Sequence, residues 1–133
     1  MRHFLAGILV CLLLPFAAQA EDDAIKRVIT EQLEAFMADD FETAFTYASP
    51  GIKRLFGSPQ RFENMVRESY PMVHRPAEVT LLDQRTQAGR VEQRVMIRDQ
   101  VGRLHMLSYQ MIETADGWQI NGVSVLRAPE VGV

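Results

Sequence analysis

Val91-Glu92-Gln93-Arg94-Val95-Met96-Ile97-Arg98-Asp99, residues 91–99, decides how this chain is built. Val91, Val95 and Ile97 share one face with Gln93, while Glu92, Arg94, Met96 and Arg98, with Arg90 before them, share the other. A period of two with one apolar and one charged face is that of an antiparallel strand with one side in the core and one in water. The same period runs through residues 78–86, 103–113 and 118–127, and the breaks between them are Ala88-Gly89, Gln100-Val101-Gly102 and Asp116-Gly117. Turns this short join antiparallel neighbours, so a four-stranded meander is expected. The third strand differs from the second. Leu104, Met106 and Ile112 fall on one side and His105, Leu107, Tyr109 and Met111 on the other, so both sides are apolar. Either a partner subunit covers the second side or the sheet curves around one core. Gly122, isolated in the last strand, suits a bulge that bends the sheet.

Upstream of Pro76 the period is 3.6. From Asp22 to Ala38 the residues Ile25, Val28, Ile29, Leu33, Phe36 and Met37 form one apolar stripe, with Asp22 and Asp23 where negative charge favours a helix start. Asp39 with Glu42 three positions on resembles a capping box that opens a second, shorter helix carrying Phe41, Ala44 and Phe45. Ser49-Pro50 and Ser58-Pro59 each read as an N-cap followed by a first-turn proline. The first opens a short turn closed by Gly57. The second opens a helix with Phe62, Met65, Val66 and Tyr70, stopped by Pro71, and residues 71–76 read as a stiff connection. The expected class is α+β, with N-terminal amphipathic helices packed on a curved four-stranded antiparallel sheet.

Residues 1–20 read as a signal peptide: Arg2 and His3 give a positive start, Phe4 to Phe16 an apolar run, and Ala18-Gln19-Ala20 a small-x-small peptidase site. Cleavage before Glu21 is expected, which sends residues 21–133 to the periplasm or outside the cell as a single domain. Of the 133 residues, 113 then remain, enough to bury roughly 60–70% of the unfolded surface. Cys11 lies inside the apolar run, preceded by Val10 where lipoprotein processing wants a small residue, so soluble export is favoured over lipid anchoring. With no other cysteine the exported part must rely on its core rather than on disulfides. Its 13 basic and 17 acidic side chains give a formal charge of −4, which argues against a nucleic-acid partner. The apolar run is shorter than the roughly 20 residues of a membrane span, and no membrane insertion is expected after cleavage.

Helices followed by a curved sheet that ends in Gly117-Trp118-Gln119-Ile120-Asn121-Gly122-Val123 resemble the nuclear-transport-factor-2-like cone. The pattern Ala44-Phe45, Ala48-Ser49-Pro50-Gly51-Ile52, Phe56-Gly57, Phe62, Met65-Val66, Tyr70, Val73 and Pro76 resembles a bacterial exported family known as domain of unknown function 4864. That resemblance covers nearly all of residues 21–133 and rests mostly on core and capping positions. It implies the fold and carries no activity. In the wider superfamily, members are often dimers and the space between helices and sheet often holds a small ligand. Some are isomerases, dehydratases or cyclases with an inward Asp, His or Tyr, but none of their catalytic patterns lies residue by residue on this chain.

Acid or base chemistry in such a cone needs an inward group kept from water. Gln93, Asp83, His105, Tyr47 and Tyr70 are the candidates, each with a plain structural reading beside it. Gln93 reads as a buried amide, the tyrosines as core residues with rim hydroxyls, and Asp83 as a solvent-facing carboxylate. His74, in the proline-framed connection, reads as exposed. Two isolated histidines without cysteine give no metal site. Met96, Met106 and Met111 differ in strand phase and read as core, and the row Arg90, Arg94, Arg98 with Arg103 reads as a solvated outer face. No phosphate loop, nucleophile elbow or zinc-protease helix occurs.

The sequence is therefore read as a non-catalytic ligand-binding or interaction module without cofactor. A small apolar ligand would sit among Phe36, Phe45, Tyr47 and Phe62, with Tyr70, Gln93 and Trp118 completing the wall. The alternatives are a homodimer in contact through His105, Leu107, Tyr109 and Met111, or a small isomerase- or dehydratase-like enzyme working through His105 or a buried carboxylate.

Overall fold

Four strands, β1 (Pro76–Gln87), β2 (Arg90–Asp99), β3 (Leu104–Thr114) and β4 (Gly117–Leu126), form one antiparallel sheet in sequence order in a computed structural model that describes residues 16–127. The expected meander is present. Ala88 and Gly89 both take positive φ, 51° and 76°, which gives the two-residue β1–β2 turn the backbone twist that strands require. The β2–β3 turn is tied by Asp99, whose Oδ1 accepts from the backbone N–H groups of Val101 and Arg103.

Register settles the two-faced strand. Val91, Gln93, Val95 and Ile97 stand opposite Met111, Tyr109, Leu107 and His105, so these eight residues share one face. On β4 that face continues through Val123, opposite Tyr109, and Ile120, opposite Met111. Five helices precede the sheet: α1 (Phe16–Met37), α2 (Phe41–Thr46), α3 (Pro50–Phe56), α4 (Pro59–Ser69) and α5 (Pro71–His74). The core between helices and sheet holds Ile25, Ile29 and Phe36 of α1, Phe62 and Val66 of α4, and Val95, Ile97, Leu107 and Tyr109 of the sheet. Sheet and helices thus enclose one core. The ladder is irregular at three places, between Pro76 and Glu78 and between Leu81 and Gln84 on β1, and beside Gly122, where Asn121 is the extra residue opposite Gln110 and Met111. The bulge expected at Gly122 is found there.

Several expectations need correction. Leu107, Tyr109 and Met111 are at most 1% exposed beneath the helices, so they do not form an open dimer surface; His105 shares their face, as its strand phase indicates. The outer face carries Met96 directly opposite Met106, while Met111 points inward. Only Met111 of the three is core.

Among the described residues helix α1 already includes residues 16–21, ahead of the expected start at Asp22, because the alanine-rich residues before Asp22 favour helix and no breaker intervenes. It ends in a Schellman arrangement: Asp40 N–H donates to the Ala35 carbonyl, Asp39 N–H to that of Phe36, and Asp39 takes φ 55°. The N-cap of α2 is therefore Asp40, whose carboxylate accepts from the backbone and hydroxyl of Thr43, and not Asp39. Pro71 opens a one-turn helix rather than a stiff connection. Ser49 and Ser58 cap α3 and α4 as expected, and Gly57 closes α3 at φ 80°. Residues 1–15, which include Cys11 and most of the expected signal segment, lie outside the described residues.

Candidate functional site

Segment 47–49 docks the helices onto the sheet edge. Ser49 N–H donates to the Ile120 carbonyl and Ile120 N–H to that of Tyr47, a short parallel bridge centred on Ala48. The fully buried Ser49 hydroxyl caps α3 through Ile52 N–H and donates to Asn121 Oδ1 at 2.8 Å. Because α3 is held at the β4 bulge while α4 packs deeper through Phe62 and Val66, a gap is left between α3, α4 and β4.

That gap is a cavity of about 370 Å³. Phe36, Phe62, Val66 and Ile120 form its deep apolar wall, Ile52, Phe56 and Met65 its flanks, and Leu55 and Ser69 its exposed rim. None of the sixteen residues that line it is charged. Its polar groups come from Gln32, Ser69, Tyr70 and Tyr109. Gln32 donates its amide to the Ala44 carbonyl at 3.2 Å, and Tyr70 its hydroxyl to the Val123 carbonyl at 3.1 Å. The Tyr109 hydroxyl is fully buried and has no hydrogen-bond partner among the described residues. Burial, with a smaller contribution from Tyr70, holds its proton on far above the usual phenol range.

Of the seven residues expected to line a pocket, Phe36, Phe62 and Tyr70 do so. Phe45 supports the wall from behind, 5.2 Å from the Phe62 ring centroid. Tyr47 and Trp118 pack against the core elsewhere. Burial and the neighbouring Glu31 raise the Tyr47 hydroxyl above its ordinary value.

Gln93 is away from the cavity. Its amide donates to the carbonyls of Leu82 and Arg94, both at 2.9 Å, and its Oε1 accepts from Gln84 at 2.7 Å. Leu82 lies in the β1 irregularity, where ladder bonds are interrupted, so Gln93 satisfies the backbone that the bulge leaves unpaired. Sequence reasoning missed Gln32 and gave Tyr109 to an interface. The signal for Gln32 was a polar residue inside the apolar stripe, between Ile29 and Phe36.

The remaining polar candidates pair with one another. Asp83 faces outward with Arg94 at 2.8 Å, whose bond holds the carboxyl below its usual range. His105 Nε2 lies 2.9 Å from Asp99 Oδ2 at the β2–β3 turn, and that hydrogen bond likewise lowers Asp99. Neither residue lines the cavity. His74 is buried, not exposed, with Nε2 2.7 Å from Asp39 Oδ1. No group of three His, Cys, Asp or Glu side chains among the described residues is placed to hold a metal. No described helix is long and apolar enough to cross a membrane.

The family model "Domain of unknown function (DUF4864)" matches residues 18–133. The chain belongs to this family. No curated protein matches it in sequence. Among solved structures, a Campylobacter jejuni protein described as an NTF2-like transpeptidase is similar, with a TM-score of 0.49 and 10% identity over 77% of this chain and 96% of that one. Helices followed by a four-stranded antiparallel sheet, the architecture expected from the sequence, is what the chain folds into.

Proposed function

We propose that this protein is an exported module that holds a small, predominantly apolar molecule in the cavity between α3, α4 and β4 without converting it. The observation that carries the reading is the cavity itself: about 370 Å³, uncharged, and floored by aromatic and aliphatic side chains. That volume falls within the roughly 300–1,000 Å³ usual for small-molecule sites. The lining offers hydrogen bonds to orient a ligand but neither carboxylate nor imidazole to move its protons.

The export half of the reading rests on Arg2, His3, the apolar run and Ala18-Gln19-Ala20. Cleavage before Glu21 would shorten α1 and bring Glu21, Asp22 and Asp23 into its first turn, where their charge opposes the helix dipole favourably. The full precursor should be expressed and the exported protein titrated with N-phenyl-naphthylamine, an uncharged fluorescent probe. Saturable enhancement that disappears in Ser69→Trp, a change at the exposed rim, is expected, with an intact mass that begins at Glu21. Enhancement that persists in Ser69→Trp, or is absent from the wild type, removes the cavity from the reading. An uncleaved or cytoplasmic product removes the export half.

A further inference from the structure

Helix α3 walls the cavity without being part of the core. Its large apolar side chains, Ile52, Leu55 and Phe56, stand at i, i+3 and i+4 on one face, and all three line the cavity. None of its seven residues is buried, and Leu55 is 71% exposed, whereas α2, α4 and α5 each bury two. Its polar attachments lie at its ends. Before the first turn, Ser49 is fixed to β4 through its N–H on the Ile120 carbonyl and its hydroxyl on Asn121 Oδ1. After the last turn Gly57 takes φ 80°, and the next residue, Ser58, already caps α4. Between these ends the grip is apolar, with the Phe56 ring set edge-on to Phe62 at 5.8 Å. Neither Lys53 nor Arg54 forms an ion pair among the described residues.

We propose that α3 is the lid of the cavity: it pivots on Ser49 and Gly57, lifts Ile52, Leu55 and Phe56 outward to admit or release an apolar molecule, and closes them over it. This rests on the ligand-binding reading above and adds how that site is entered. The deep wall cannot yield in the same way, because Phe36, Phe62, Val66 and Ile120 belong to the buried core that joins α1, α4 and the sheet. Segments with few buried apolar contacts open locally at a fraction of the cost of global unfolding. Of the elements that line the cavity, α3 is the helix with that property. Gly57 suits a joint, since a residue without Cβ moves between left-handed and other backbone conformations at little cost. Space is not what demands glycine there: a Cβ added to Gly57 would meet nothing within 4 Å.

Stopped-flow mixing of the exported protein with N-phenyl-naphthylamine tests this in Gly57→Ala, which strains the closed position of α3 without touching the cavity wall. The strain is the same with the cavity filled or empty and is relieved on opening. Association and dissociation should therefore both quicken, each by about tenfold, while Kd stays within about twofold of the wild type. Gly102→Ala places equal strain at φ 85° in the β2–β3 turn, also with open space around it. It should lower the urea midpoint and leave both rates as in the wild type. Gly57→Asn, whose side chain tolerates the left-handed region better, should show the same paired rise, but smaller, and serves if Gly57→Ala does not fold. Unchanged rates in folded Gly57 variants overturn the lid and leave α3 as a fixed wall of a binding cavity. A rise in dissociation alone also overturns it, since Gly57 would then shape the wall rather than gate it. Absence of saturable binding to the wild type removes the cavity reading and the lid with it.

Discussion

His74 Nε2 and Asp39 Oδ1 meet at 2.7 Å across 35 positions of sequence, joining the end of α1 to the end of α5. Arg75 reaches the same carboxylate at 2.8 and 2.9 Å and also donates to the Phe36 and Met37 carbonyls at the α1 C-terminus, where helix carbonyls run out of intrahelical partners. Arg67 adds a longer contact at 3.5 Å and lies over the Phe41 ring. One aspartate in a left-handed backbone conformation therefore ties three helices together.

Acid should loosen this tie. The hydrogen bonds from His74 and then Arg75 hold the Asp39 carboxyl below its usual range. A carboxyl whose folded value is depressed stabilises the fold fully above its unfolded value, near 3.8, and loses that contribution as pH falls through the folded value. Asp39→Asn keeps a side chain tolerant of positive φ and removes the charge. Its urea midpoint should lie below that of the wild type at neutral pH, and the gap should narrow as pH drops below about 4. A gap independent of pH would mean that the charge of Asp39 contributes nothing to folding.

Gln93 yields a prediction opposite to the one its inward position invites. Replacing it by leucine strands the Leu82 and Arg94 carbonyls and the Gln84 amide without changing the cavity wall. Gln93→Leu should lower stability by about 1–3 kcal/mol in urea unfolding. Affinity of the folded variant for N-phenyl-naphthylamine should equal that of the wild type. A selective loss of affinity would return Gln93 to the site.

These two residues mark where sequence stops being informative. The meander was readable because β2 has one charged face, which fixes its phase without any neighbour. In β3 both faces are apolar, and only the cross-strand register, Val95 opposite Leu107 and Gln93 opposite Tyr109, shows which face turns inward. The inward position of Gln93 was legible, but its partners depend on an irregularity in β1 that no local pattern announces. His74 was read as exposed because its chain neighbours are prolines and an arginine. The carboxylate that accompanies its burial comes from another helix. Caps at Ser49 and Ser58 were legible because they are local, and the cavity was only half legible because it depends on how far α3 stands from α4.

Phe62 joins the core to the cavity, and its removal should separate the two roles. Its ring lies 5.9 Å from Phe36, 5.2 Å from Phe45 and 5.8 Å from Phe56, so it is the centre of the aromatic cluster that connects α1 to α4. Phe62→Ala should cost about 3–5 kcal/mol, since these rings are fixed by α1, α2 and α3 and cannot collapse fully into the space left. Phe62→Leu should cost less. Because Phe62 also lines the site, N-phenyl-naphthylamine at saturating concentration should raise the urea midpoint of Phe62→Leu by less than it raises that of the wild type, in proportion to lost affinity. An equal rise in both would show that the probe sits nearer the rim formed by Leu55 and Ser69 than the aromatic floor.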